Sequence, residues 1–204
     1  LALILAPLLM LAGVGLAAVL PPAFAAALGL YLVLSLAYSL HLKRRTTLDV
    51  LVLAGLYTLR VIGGTLALGI DFSFWLLAFS IFLFLSLAFV KRFAELKTMA
   101  LEGRSGAAGR GYGIEDLELV RTFGVAAGFG AVLLLALYIN SPEIRTLYAT
   151  PELIWLVCPV LLYWVARTWT LAHRGLMHDD PLVFAVEDRV SRWTVALAVV
   201  IVLV

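Results

Sequence analysis

The side chains best suited to chemistry lie in one polar stretch, residues 173–191, near the end of an otherwise apolar chain. Asp179 and Asp180 are adjacent, and the next residue is Pro181, which suits the first turn of a helix because its missing N–H costs nothing there. If one helix continues from there, Asp188 lies about two turns beyond Asp180 and roughly 80° round the axis. These three carboxylates predict a Mg²⁺ site, because Mg²⁺ takes one or two carboxylates and completes its shell with water and substrate phosphate.

The same pattern also has a purely structural interpretation. Aspartate is a favoured N-cap residue, and its charge suits the positive end of a helix. Asp180 before Pro181 would then simply cap a solvated helix at the membrane interface. Spacing alone does not decide between the two alternatives.

Composition assigns the chain to integral membrane proteins. Of its 204 residues, 64% are hydrophobic and the mean hydropathy is +1.08, values far from those of a soluble domain. The net charge is only +2. The pattern predicts an all-α polytopic helical bundle that forms one membrane-embedded domain over residues 1–204. Its apolar segments are about 1–20, 23–40, 48–70, 73–90, 119–139, 152–171 and 193–204.

The two ends of the chain differ from the middle. Residues 1–40 carry no charge, and Pro21-Pro22 is the plausible corner between the first two segments. The last segment is too short for a bilayer that needs about 20 helical residues, and Leu1 is not an initiator methionine. We therefore expect truncation at both ends.

Basic residues concentrate in three connections, 41–47, 91–121 and 172–192, which alternate with connections that carry almost none. By the positive-inside rule, this alternation predicts that the three basic connections face the cytoplasm. One-sided positive charge suits anionic headgroups and phosphorylated substrates, so we expect the bilayer and such substrates as partners, and no nucleic acid. Cys158 is alone in an apolar segment, which excludes a disulfide or a thiolate metal site.

Two ionisable residues, Asp49 and Arg60, lie in the apolar segment 48–70, eleven positions apart and nearly on one helical face. Charges at membrane depth are costly and usually face a cavity or a partner. Asp49 either points into the cavity of the aspartate site or is an interfacial charge at a helix start. Arg60 lies near mid-span before Gly63-Gly64, which lets a helix or ligand approach closely.

The connection after segment 73–90 begins with Lys91, Arg92 and Glu95, which we expect to continue the helix past the membrane. Five glycines between Gly103 and Gly113 suit either a loop that folds over a ligand or an ordinary flexible connection.

Several stretches together resemble the UbiA prenyltransferase superfamily, and within it the branch of decaprenyl-phosphate phosphoribosyltransferase. They are HRGLMHDDPLVFAVEDRVS at 173–191, YSLHLKR at 38–44, LDVLVLAGLYTLRVIGG at 48–64, FVKRFAEL at 89–96 and GRGY at 109–112. The resemblance implies a bundle of about nine helices around a central cavity, of which this chain resembles helices three to nine. Asp179, Asp180 and Asp188 match the second of two aspartate-rich motifs, and the first is expected before Leu1.

The resemblance implies Mg²⁺-dependent transfer of 5-phosphoribose from phosphoribosyl diphosphate to a polyprenyl phosphate, a step of cell wall biosynthesis, at the cytoplasmic face of the bacterial inner membrane. Mg²⁺ on the three aspartates would stabilise the departing diphosphate, and the acceptor, already an anion, needs no strong base. The remaining candidate site residues lie in or next to the basic connections, or in segment 48–70. Those expected to bind phosphate are Lys43, Arg60, Lys91, Arg92, Arg110, Tyr112 and Arg174, and those expected to line the cavity are Tyr38, Asp49 and His178.

Two other functions stay open. A prenyltransferase of the usual UbiA type would move a prenyl group from its diphosphate to an aromatic acceptor. A membrane transporter would use Asp49 and Arg60 as an intramembrane relay. In either enzyme, residues 1–204 alone are expected to insert into the membrane without catalysing transfer, because the facing aspartate motif is missing.

Overall fold

The computed structural model describes residues 20–103, 111–142, 151–177 and 180–203, together with Leu5, Gly13, Gly15, Ala17, Val19 and Ile144. Its helices are α1 (Pro22–Leu40), α2 (Leu48–Leu68), α3 (Phe74–Leu101), α4 (Leu117–Ile139), α5 (Val157–His173), α6 (Pro181–Glu187) and α7 (Arg189–Leu203). Short helical turns occupy Leu42–Arg44, Ile114–Asp116 and Pro151–Ile154. No strand is found in these ranges, which confirms the predicted all-α class.

Five helices are long and apolar enough to cross a bilayer: Pro22–Leu40, Leu48–Leu68, Phe74–Leu101, Ile114–Ile139 and Glu152–His173. The chain is therefore a polytopic membrane protein. Most of the predicted segment 1–20 lies outside the described residues. The predicted segment 193–204 begins earlier than expected, since α7 starts at Arg189.

Local sequence sets the helix ends. Pro22 starts α1 in the position where proline is best tolerated. Gly69 ends α2 in the left-handed conformation, with a φ of 65°, which glycine adopts without strain. As expected, α3 passes through Lys91, Arg92 and Glu95 and stops only at Leu101.

Helix α3 is the centre of the bundle, because it packs against α2, α4, α5 and α6. Ser86 of α3 donates a hydrogen bond to the Gly124 carbonyl of α4 (2.7 Å) and accepts one from Trp169 Nε1 of α5 (3.0 Å). These two buried hydrogen bonds join three helices. They fix the rotation of each helix about its own axis, which apolar packing alone would not do.

The three basic connections lie at one end of the bundle, which we name the charged end. Tyr112 of the connection 102–116 contacts Thr47 of the connection 41–47, and Lys91 contacts Asp180 of the connection 174–188. The expectation that these connections share one face is thereby confirmed.

The expectation of one continuous helix from Pro181 to Asp188 is wrong. Helix α6 ends at Glu187, and Asp188 adopts an extended backbone with φ −70° and ψ 124°. Its side chain then accepts the N–H of Ser191 at 2.7 Å, so Asp188 caps α7 instead of continuing α6.

Replacing Gly124 with alanine tests the packing around α3. A Cβ at Gly124 would lie 2.6 Å from Phe89 Cβ and still closer to the Trp169 ring, and such overpacking typically costs about 1–3 kcal/mol. We expect Gly124→Ala to lower the thermal unfolding midpoint in detergent micelles. Gly29→Ala is the matched control, because no atom lies within 4 Å of its added Cβ. Equal midpoints for the two variants would contradict the close helix contact.

Candidate functional site

An exposed ion pair marks the mouth of the candidate site. Lys91 Nζ lies 2.5 Å from Asp180 Oδ2, with 31% and 25% of the two side chains exposed. The other carboxylate oxygen of Asp180 accepts the N–H of Leu182 at 3.0 Å and so caps α6. Burial disfavours the charged carboxylate, but the hydrogen bonds from Lys91 and Leu182 outweigh it and lower the pKa of Asp180. Asp180 is therefore an ionised carboxylate beside a cation.

Beneath this pair is a narrow, mainly apolar recess between α2, α3 and the start of α6. Lys91 and Asp180 form its polar rim, and its lining comprises Leu53, Tyr57, Phe84, Leu87, Ala88, Pro181 and Leu182. The arrangement brings a cation and a carboxylate to an apolar wall.

A second charge cluster lies directly beside the first but is buried. Arg92 is only 2% exposed, and its Nε forms an ion pair with Asp49, which is fully buried. Its other nitrogens contact Glu95 and the hydroxyl of Tyr38, the latter at 3.1 Å. Tyr38 in turn donates to Asp49 at 2.7 Å. Every guanidinium nitrogen of Arg92 therefore has a protein partner.

This cluster joins α1, α2 and α3. Because Asp49 is enclosed against Arg92 and Tyr38, it does not open into a cavity, contrary to the expectation from the sequence. Arg92, expected to bind phosphate, instead neutralises Asp49. Removing one partner of a buried ion pair typically costs about 3–5 kcal/mol, so the arrangement favours a structural role for Arg92.

Asp188 belongs to a third charge cluster. Arg167 of α5 holds it bidentately, with nitrogen–oxygen distances of 2.7 and 3.0 Å. Burial acts against ionisation of Asp188, but the bonds from Arg167 and Ser191 overcome it and lower the pKa of this carboxylate. Trp164 donates to the Ser191 hydroxyl at 3.0 Å. The cluster fixes the start of α7 on α5 and leaves Asp188 occupied by protein donors.

Tyr112 secures two connections to each other. Its hydroxyl accepts the N–H of Thr47 at 2.7 Å, and the Thr46 hydroxyl donates to the Gly111 carbonyl at 2.7 Å. A Cβ on Gly111 would lie 2.9 Å from the Arg44 carbonyl oxygen, so only glycine fits this approach. Burial raises the pKa of Tyr112. Its geometry is that of an anchor, and its role as a phosphate ligand stays a prediction.

Arg60 lies further along α2 from the charged end, apart from Asp49, and it is exposed. Its guanidinium carbon is 5.3 Å from the ring centre of Tyr31 and 4.9 Å from that of Tyr57, and its NH2 donates to the Tyr31 hydroxyl at 2.6 Å. Asp49 pairs with Arg92 and not with Arg60. The direct Asp49–Arg60 relay on which the transporter alternative depends is therefore absent from this arrangement.

The other predicted residues lie around these clusters. Lys43 is half-buried in the turn Leu42–Arg44, and Arg174 is exposed directly after α5. Both are at the charged end, and neither forms an ion pair with another described residue. Arg110, His178 and Asp179 lie outside the described residues.

The part of the chain that the structure describes contains no group of three histidine, cysteine, aspartate or glutamate side chains able to hold a metal ion. Asp180 and Asp188 belong to separate clusters. Asp180, ionised and partly exposed, is the better suited to Mg²⁺, which is satisfied with one or two carboxylates when substrate phosphates complete its shell.

The chain has relatives among known proteins. It is 38% identical over 195 residues to the uncharacterized protein y4nM of Sinorhizobium fredii, which covers 95% of this chain and 38% of that protein. It is 36% identical over 158 residues to the nodulation protein NoeC of Azorhizobium caulinodans, which covers 78% of this chain and 52% of that protein. The chain thus spans between two fifths and about half the length of these curated relatives. No family model matches it.

Sequence reasoning did not single out Arg167, Tyr31 or Tyr57. Arg167 could have been found, because it is a charge near the end of the apolar segment 152–171, where an ionisable residue calls for a partner. The two tyrosines gave no comparable signal, since tyrosine is common in membrane helices.

Arg92→Lys separates structural from substrate-binding roles. Lysine keeps the charge but cannot contact Asp49, Glu95 and Tyr38 at the same time. We therefore expect the free energy of unfolding in micelles to fall by about 1–3 kcal/mol. Arg121→Lys, which alters an exposed pair with Glu118, should change it by less than about 0.5 kcal/mol. An Arg92→Lys protein of wild-type stability with weakened substrate binding would favour the phosphate role instead.

Asp188→Asn tests the third cluster through its pH dependence. A lowered pKa in the folded state stabilises the protein above the unfolded value near pH 4, and this contribution disappears as the pH falls through the folded pKa. We expect the variant to be about 1–3 kcal/mol less stable than wild type at pH 7, with a difference that shrinks below about pH 4. Because asparagine can still cap α7, the loss of stability measures the ion pair between Asp188 and Arg167. A difference independent of pH would contradict this assignment.

Proposed function

We propose that this chain forms the membrane part of a transferase that moves 5-phosphoribose from phosphoribosyl diphosphate to a polyprenyl phosphate. The observation that carries the proposal is the Lys91–Asp180 pair above an apolar recess at the charged end. The resemblance to the UbiA superfamily supports the same chemistry, since both residues lie in stretches that match it. The opening to the cytoplasm follows from the positive-inside rule.

The ion pair suits a site that opens for its ligand. A partly exposed pair contributes only about 0–1 kcal/mol, so little is lost when Lys91 turns to a phosphate oxygen and Asp180 is released. Lys91 then stabilises charge on the departing diphosphate. Asp180, held in place by the N–H of Leu182, is the residue that would hold Mg²⁺, which when bound supplies further charge neutralisation.

The remaining residues act by position. Arg92 and Asp49 hold α1, α2 and α3 together directly below the site, so that Lys91 is presented from a rigid helix. The recess has an accessible volume of only about 10 Å³, so its apolar lining keeps water from the ion pair, and the lipid chain would lie outside it. The acceptor oxygen is already anionic and attacks the anomeric carbon as the C–O bond to diphosphate breaks, so no base is required.

Radiolabel transfer into lipid tests the proposal. With phosphoribosyl diphosphate labelled in the ribose and polyprenyl phosphate in membranes that contain the intact protein, we expect label in the lipid fraction that depends on Mg²⁺. Lys91→Ala and Asp180→Asn should each reduce turnover at least about 100-fold. Arg121→Gln, at a surface pair remote from the recess, serves as the control.

The donor distinguishes the alternatives. Transfer from a prenyl diphosphate to an aromatic acceptor, with none from phosphoribosyl diphosphate, would favour the usual UbiA-type reaction. Wild-type turnover in both Lys91→Ala and Asp180→Asn would contradict the assignment of the site.

A further inference from the structure

We propose that Arg60, Tyr31 and Tyr57 form a second anion site, which binds a phosphate monoester of the substrate one tyrosine ring away from Lys91 and Asp180. That the phosphate belongs to a substrate rests on the proposed function. The presence of a phosphate site does not.

The first argument is the depth of Arg60. It lies eleven residues beyond Asp49 on α2, about 16 Å along the helix axis and roughly halfway through a bilayer core of about 30 Å. Arg60 is nevertheless an exposed residue. A charge at this depth requires a cavity, a protein partner or a ligand.

The second argument is its set of partners. No carboxylate among the described residues lies within ion-pair distance of Arg60. Within the described part of the chain, its one hydrogen bond to a side chain is the 2.6 Å bond to the Tyr31 hydroxyl, and two aromatic rings flank the guanidinium. The rings stabilise the cation and fix its plane, while the other N–H groups stay available for two parallel bonds to phosphate oxygens.

The third argument is the space beside the guanidinium. Gly64 follows Arg60 by one helical turn, and a Cβ built there would meet no atom within 4 Å. At Gly63, in contrast, an added Cβ would lie 3.7 Å from the Phe24 ring of α1. One glycine thus serves helix packing, and the other leaves the surface beside Arg60 open.

Tyr57 connects the two anion sites. One side of it faces Arg60, its ring stacks on Phe84 at 5.3 Å, and it lines the recess whose rim is Lys91 and Asp180. A pentose that carries a phosphate at one end and a diphosphate at the other presents two anionic groups separated by a sugar ring. Two cationic groups that border one tyrosine match such a molecule.

Binding of ribose 5-phosphate to the purified intact protein in micelles, measured by calorimetry, tests the site without turnover. We expect Arg60→Gln to weaken binding by about 10–100-fold, the loss of a charge-assisted pair. The affinity of the Arg60→Lys variant should lie between those of wild type and Arg60→Gln, because lysine keeps the charge but cannot form two parallel hydrogen bonds to phosphate. Arg121→Gln should bind as wild type does. Equal affinity in Arg60→Gln, Arg60→Lys and wild type would overturn the proposal.

Kinetics then identify the source of the phosphate. If Arg60 holds the 5-phosphate of the donor, Arg60→Lys raises the KM for phosphoribosyl diphosphate and not that for polyprenyl phosphate. If Arg60 holds the lipid phosphate, Arg60→Lys raises the KM for polyprenyl phosphate and not that for phosphoribosyl diphosphate. Both outcomes support a phosphate site, and wild-type values of both KM would overturn it. A protein that binds ribose 5-phosphate through Arg60 but transfers nothing would refute the proposed function alone.

Discussion

The buried guanidinium of Arg92 is the constraint on which the charged end depends. A cation that is 2% exposed must be neutralised within the protein. Asp49 of α2 and Glu95 of α3 do so, and the Tyr38 hydroxyl of α1 accepts a further hydrogen bond from Arg92. Desolvation makes such a pair costly to assemble but still more costly to break. The three helices are thereby fixed relative to one another at the level where the candidate site opens.

Adjacent positions on α3 have opposite properties for a geometric reason. Successive residues of a helix point about 100° apart, so Lys91 faces α6 while Arg92 faces α1 and α2. The buried residue fixes the scaffold, and the exposed one remains free to exchange its carboxylate for a ligand. A site needs both, because a movable charge acts usefully only when its backbone does not move.

Sequence predicted the elements well and their mutual contacts less well. Apolar segment length and the Pro21-Pro22 corner located most of the described helix starts to within a few residues, and Asp180 before Pro181 caps a helix, as one of the two alternatives from the sequence had it. The continuation to Asp188 was wrong, because a second cap and the Arg167 fork break the helix there. The Asp49–Arg92 pair was not predictable, since these residues are 43 positions apart and only the packing of α2 on α3 brings them together.

Asp180 and Asp188 show why residue type alone does not assign a site. Both are ionised N-caps with a basic partner, but their partners differ. Arg167 engages both oxygens of Asp188 in a fork, and the Ser191 N–H adds a third bond. Lys91 contacts one oxygen of Asp180 as a single flexible point charge, and the pair is more exposed. Replacing the protein partner with a ligand therefore costs less free energy at Asp180 than at Asp188. Asp188 stabilises the fold, and Asp180 is available for chemistry.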